Sequence, residues 1–488
     1  MTRPQWLPRM IIGLVFLLIL GLYLYNITGW FKEDDEGTAL YAAWRLAEGE
    51  TPYQDFITTK GPLFLLLGAG LNRVLGPSIL SLRAVTALAV ISSGYCWYRG
   101  LRAVYGPPAG AIGAVVFLLT PEVYHLGRLF RADSWMLALV ACALSACLLG
   151  CRWRKYRWFL LSGSLFGLAI LIKVIAALPF LGCALFLIFQ TLPSPRRREV
   201  LVFAIFTASF LTIAVTGFGL AERVTPGTLG MILGSQGTLA KDSPNWVLVV
   251  IRGLVVYAAF IRSNLVIILA IPFALLVVPT DRRMSPGLCF LCQVLAASVL
   301  LLLPGAVYPR YLAYTVLGLS GLFAMGIKHF LDQIENRSRY GAVGGLVLLG
   351  IAMSLLQMWV FLTRSETGTM TLATYIAENT APDDVILGDY AELAFHARRR
   401  SVPQTGGIAY NWAVSGLITG KELIQTIEQH DVSLIALHVP GGPEPPGHLY
   451  YLQDWDAFYQ YVREHYQAKE QMVRAGQLFE IYHQGRGE

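Results

Sequence analysis

The sequence predicts an α-helical polytopic membrane protein of about eleven transmembrane helices, N-terminus inside, with a small C-terminal extracytoplasmic α/β domain. Three observations predict it. The 488 residues are 55% hydrophobic and only 14% charged, where a soluble domain carries roughly 25% charged residues. The apolar residues fall in blocks of about 17 to 25, the length a helix needs to cross roughly 30 Å of hydrocarbon. The basic residues gather in alternate short connections, as the positive-inside rule requires.

The apolar blocks are residues 10–30, 79–98, 107–122, 134–149, 158–172, 174–191, 200–220, 264–279, 287–303, 311–328 and 341–362. Arg3 and Arg9 precede the first block, which is too long for a signal peptide and has no small-residue cleavage site after it. Its N-terminus is therefore expected in the cytoplasm. Residues 62–75 and 246–261 are also apolar, but counting either as a full span breaks the charge alternation, so both are expected to be interfacial. Arg99 and Arg102, the string Cys151 to Arg157, Arg196 to Arg198, Asp281 to Arg283 and Lys328 to Arg339 then fall inside. Residues 31–61, 123–133, 221–244 and 304–310, with the turn at Lys173, fall outside.

An odd number of spans puts residues 365–488 outside as well. This segment has 8 Lys+Arg against 16 Asp+Glu, whereas the rest of the chain has 30 against 15. The basic surplus lies in short loops between spans and reads as topology, which argues against a nucleic-acid partner. Helical patterns from 371, at 420–428 and at 455–465 alternate with apolar runs at 384–388, 433–439 and 477–482, the pattern of a small α/β domain. The expected division is 1–364, transmembrane, and 365–488, soluble. All seven cysteines lie in or beside membrane segments, so the terminal domain has no disulfide framework, which favours a prokaryotic plasma membrane.

The first external loop carries the strongest chemical signal. Asp34, Asp35 and Glu36 follow a span directly, and Tyr53, Asp55 and Lys60 come later in the same loop. A solvated acidic loop accounts for the composition alone; carboxylates at a membrane surface can also act as a base or hold a cation. Arg131 and Asp133 sit where a later span begins, on the same predicted face, and Asp133 also suits the start of any helix. Arg128 and Arg310 add cations there, although interfacial snorkelling explains Arg310 equally. Lys173 reads as a hairpin turn, residues 398–400 as a solvated basic face, and His438 as a packed side chain.

The string DDEGTALYAAWRLAEGETPYQDF, then Lys60-Gly61-Pro62-Leu63, Arg131-Ala132-Asp133 and Pro309-Arg310-Tyr311, resemble the motifs of GT-C membrane glycosyltransferases. The similarity is to the branch holding the protein O-mannosyltransferases and the lipid A aminoarabinose transferase, and it covers roughly residues 10 to 330. Many members have Lys-Pro-Pro where this chain has Lys60-Gly61-Pro62. The resemblance implies a polyprenyl-phosphate sugar donor held among membrane lipids, and an extracytoplasmic glycan, lipid or protein acceptor. It implies inverting transfer with Asp35 as general base, and Glu36 and Asp133 as the other catalytic carboxylates. Lys60, Arg310 and Arg131 would bind the donor phosphate; Asp34, Tyr53 and Asp55 would support the loop and acceptor. A divalent ion, Mg or Mn, is left open, with Asp35, Glu36 and Asp133 as its ligands if one is used. The competing reading is a multi-span transporter or lipid flippase, which would place ionisable residues deep within spans.

Overall fold

The computed structural model describes residues 6–29, 34–191, 197–237, 246–264, 286–299, 309–333, 337–363, 368–408 and 410–485. The chain divides into two compact units: Met1–Ile27, Arg83–Gly219 and Ser243–Thr363 form one, and Thr28–Leu82, Leu220–Asp242 and Arg364–Glu488 form the other.

The first unit is helical. Among the described residues, three helices are long and apolar enough to cross a membrane: Ile79–Tyr105, Ala132–Trp153 and Arg197–Val224. A fourth span is available if Pro107–Leu119 and Pro121–Gly127 count as one, bent by 66°. The bend falls at Thr120-Pro121, where a proline without an N–H starts a new helix instead of continuing the old one. Shorter apolar helices include Met10–Leu24, Tyr156–Ile172 and Val174–Gln190. Of the expected blocks, residues 265–279 and 300–303 lie outside the described residues.

Helices in lipid gain little from apolar burial and pack through close backbone approach. The Tyr156–Ile172 helix does so through Gly163 and Gly167, one turn apart. A β-carbon on Gly163 would stand 2.2 Å from Phe206 O, and one on Gly167 would stand 3.0 Å from Phe210 O. The rings of Phe180 and Phe210 stack beside this contact, and Phe166 meets Phe180 edge-on.

The second unit contains a five-stranded mixed sheet, with strands β1 (Val385–Gly388), β2 (Arg400–Ser401), β3 (Leu434–Val439), β4 (Tyr466–Arg474) and β5 (Gln477–Gln484). The order is β2-β1-β3-β5-β4. β1 runs parallel to β2 and β3, and β5 runs antiparallel to β3 and β4. All six residues of β3 are buried, as befits a central strand covered on both faces. The Gly420–His430 helix starts with a capping box between Thr419 and Glu422, and Asp454 accepts from Gly420 N and Lys421 N. Its Leu423 and Ile427 join Leu387, Ile435, Leu437, Phe458 and Val462 in one core.

Three expected apolar runs became β1, β3 and β5, and the expected helices are present. Strands β2 and β4 were not expected. Of the expected solvated basic face, Arg398 and Arg400 are exposed, and the correction falls on Arg399. Arg399 is buried, and its guanidinium donates to Ala377 O at 2.8 Å and Thr380 O at 2.7 Å, closing the end of the Thr369–Glu378 helix.

Candidate active site

In the second unit, the acidic string begins the helix Asp34–Ala47. Acidic side chains suit a helix N-terminus, where amide N–H groups are left over. Thr38 Oγ1 turns back to donate to Asp35 O at 3.0 Å. The Asp35 carboxylate lies 3.5 Å from Lys60 Nζ; its side chain is 41% exposed and that of Lys60 14%. Glu36, one residue on, is buried. Asp35 therefore remains accessible beside a shielded cation, while its neighbour points into the unit.

Lys60 is set by the loop before it. Tyr53 holds a left-handed conformation, φ +68°, its N–H donates to Phe56 O at 2.9 Å, and its hydroxyl donates to Lys60 O at 2.8 Å. Burial raises the Tyr53 phenol well above its ordinary pKa, so it stays a donor. Asp55 accepts from Thr51 N at 2.7 Å, which closes the turn. Gly61 and Pro62 then lead into the Pro62–Leu75 helix, with proline in its first turn. Tyr53 and Asp55 are thus built into the loop that presents Lys60.

The acidic helix is anchored to the terminal segment of its own unit. Tyr41 OH accepts from Ser401 N at 2.8 Å, and burial pushes this phenol up to about 12. Trp44 meets Phe395 edge-on at 6.2 Å. Glu50 receives Arg45 from one side and Arg400, at 3.1 Å, from the other. Gly37 faces Glu392 so closely that a β-carbon there would stand 2.5 Å from Glu392 Cβ. Glu392 is paired with Arg474, whose side chain is 0% exposed and whose Nε donates to Thr369 Oγ1 at 2.9 Å. Nearby, Asp389 accepts from His438 N and Leu449 N, and His438 meets Tyr390 OH and stacks on Phe479.

In the first unit, Asp133 lies in the first turn of the Ala132–Trp153 helix. Lys173 Nζ donates to its Oδ1 at 2.7 Å, and Arg131 approaches Oδ2 at 3.7 Å. Arg310, in the Pro309–Leu312 turn, is within electrostatic reach of the same carboxylate. Arg128 is committed elsewhere: its guanidinium donates to Tyr23 O, Tyr25 O and Asn26 O, the carbonyls at the end of the Trp6–Leu24 helix. Lys173 is the residue the sequence reading missed. The available signal was a lone lysine between two apolar helices, which needs a charged partner, on the predicted face of Asp133.

Among the described residues, no three His, Cys, Asp or Glu side chains gather as a metal ion would need. Asp35 and Asp133 each face a lysine instead. The steps proposed below use no metal ion.

Residues 59–219 match the family model described as dolichyl-phosphate-mannose-protein mannosyltransferase. No curated protein sequence matches the chain. Solved structures do. ArnT from Cupriavidus metallidurans, solved in the apo state and bound to undecaprenyl phosphate, has a TM-score of 0.66 at 15% identity, covering 97% of each chain. AglB, the oligosaccharyltransferase of Archaeoglobus fulgidus, solved with an inhibitory peptide and a dolichol-phosphate, has a TM-score of 0.55 at 14% identity over 99% of this chain and 75% of its own. The arabinofuranosyltransferase AftD from Mycobacteria reaches 0.53 at 15% identity over 98% and 42%. The resemblance to the O-mannosyltransferase and aminoarabinose transferase branch of the GT-C enzymes is borne out by this family match and shared fold.

Proposed function

We propose, from a fold shared with the GT-C membrane glycosyltransferases, that this protein transfers a sugar from a polyprenyl-phosphate donor to an extracytoplasmic glycan, lipid or protein acceptor. One observation carries the reading: Asp35, an accessible carboxylate at a helix start, is paired with a shielded lysine in a chain whose fold matches an enzyme bound to undecaprenyl phosphate.

The acceptor hydroxyl attacks the anomeric carbon from the face opposite the phosphate. The new C–O bond forms as the bond to the phosphate oxygen breaks, its electron pair leaves with the lipid phosphate, and the configuration inverts. Asp35 takes the hydroxyl proton. Lys60, 3.5 Å away, balances the charge of the waiting Asp35. A donor phosphate within reach of Lys60 draws that ammonium toward itself and frees the Asp35 carboxylate for the hydroxyl proton, so donor binding primes the base. Within the first unit, Asp133 orients Lys173 and Arg131, a cationic cluster suited to an anion. Glu36 is assigned to holding the acidic helix. The N-terminus lies inside and residues 365–488 outside, as the loop charges require.

The test is release of labelled sugar from polyprenyl-phosphate donors by the purified protein, with a membrane extract as acceptor. Asp35→Asn is expected to lower turnover at least a hundredfold with an unchanged melting temperature. Equal turnover by both proteins would remove Asp35 as the base.

A further inference from the structure

Within the first unit, a cavity of about 870 Å³ opens where the Ile79–Tyr105 and Ala132–Trp153 helices end. Arg99, Arg102 and Arg152 line it, and among the described residues no aspartate or glutamate does. Arg99 and Arg102 are three residues apart on one helix, so both project from the same face. Arg152 comes from the last turn of the other helix. The third wall is apolar: Ile12 and Phe16 of the Trp6–Leu24 helix, with Phe16 edge-on to Tyr95 at 5.8 Å. Trp153, 43% exposed, stands at the rim.

Positive-inside topology and helix C-terminal charge preference explain why arginines occur here. Neither explains why three converge on one cavity, without a carboxylate, against an apolar wall. That combination is amphipathic: guanidiniums for an anion, aliphatic and aromatic surface for a chain beside it, and an indole at the depth where lipid headgroups lie. The helix that starts beside Asp133 ends at this cavity after 22 residues, or roughly 33 Å. The cavity therefore belongs to the opposite membrane face from Asp133, a full bilayer core away.

We infer that this cavity binds the phosphate headgroup of an anionic phospholipid from that opposite leaflet. Arg102 and Arg152 hold the phosphate, Arg99 closes the open side, and one acyl chain lies along Ile12 and Phe16. The inference does not depend on the transfer reading, because none of these residues takes part in it.

The test uses the full-length protein in neutral detergent, with retention of added phosphatidylglycerol or phosphatidylcholine read by native mass spectrometry. The wild type is expected to retain phosphatidylglycerol preferentially. Each cation beside a lipid phosphate contributes about fivefold, so Arg102→Gln with Arg152→Gln should weaken retention roughly twenty-five-fold. Lys155→Gln with Arg157→Gln removes the same charge from the adjacent loop and the first turn of the helix after it, and should change it less than twofold. Arg102→Lys with Arg152→Lys should keep most of the binding, which guards against a variant that merely misfolds. Equal retention of the two lipids, equal loss in the cavity and loop variants, or displacement by equimolar inorganic phosphate would each overturn the inference.

Discussion

A lysine carried between two apolar helices needs a partner, and Lys173 finds one in Asp133, 2.7 Å away. Removing one member of a shielded pair leaves the other charge uncompensated. Lys173→Met is therefore expected to lower thermal stability in detergent by about 1–3 kcal/mol, a range that allows for the partial exposure of Lys173. Adding Asp133→Asn should restore much of the loss, and a double-mutant cycle would read the coupling. Gly37 is a second case. Its missing β-carbon lets the acidic helix approach Glu392, which Arg474 holds in place. Gly37→Val should displace Asp35 and lower turnover about tenfold to a hundredfold with a smaller change in KM, because reacting groups tolerate little misplacement. Loop acids and Arg131 were legible as single letters. The partner choices of Lys60 and Lys173 were not, because they depend on helix ends that meet only in the fold.

Elements differ in how openly the sequence declares them. β3 is apolar but for His438 and reads directly as a strand. β4, YQAKEQMVR, is an edge strand with most of its residues exposed, so it has no apolar alternation to find. Its place is fixed by the turn Ala475-Gly476, with φ +50° and +79°, the geometry of a two-residue hairpin loop. Alanine is strained there, so Ala475→Gly should stabilise the hairpin by about 1 kcal/mol, measurable as a higher melting temperature. On β5, burial first and Lys469 second hold the His483 ring below its usual pKa, and Tyr375 OH lies 3.3 Å from it. The sign follows: the stability this neutral ring supports is complete above the unfolded value of about 6.5 and is lost as pH falls through the lower folded value. Melting curves from pH 8 to pH 5 should show the wild type losing ground to His483→Gln. The block at 107–122 read as one span because apolar length hides a bend, although Pro121 marked its place.

At the scale of the molecule, charge alternation and block length made the membrane class legible. They could not show which distant segments fold together. Residues 28–82 share a compact unit with 364–488, so the acidic loop and the terminal sheet are parts of one body. Expressed alone, 364–488 would expose Phe395, which Trp44 covers, and Ser401, which Tyr41 binds. Joined through a linker to 28–82, the terminal segment should melt several degrees higher and bind less of a hydrophobic dye than it does alone.

The bond from Ser401 to Tyr41 joins residues 360 positions apart, and this imposes an order on biosynthesis. The acidic loop leaves the ribosome long before its seat does. A nascent chain can thread its helices into the bilayer while Asp35 still lacks the platform that sets it. A chain cut short before Ser401 would be inserted yet lack this platform, so the proposed transfer would wait for the terminal segment to be made.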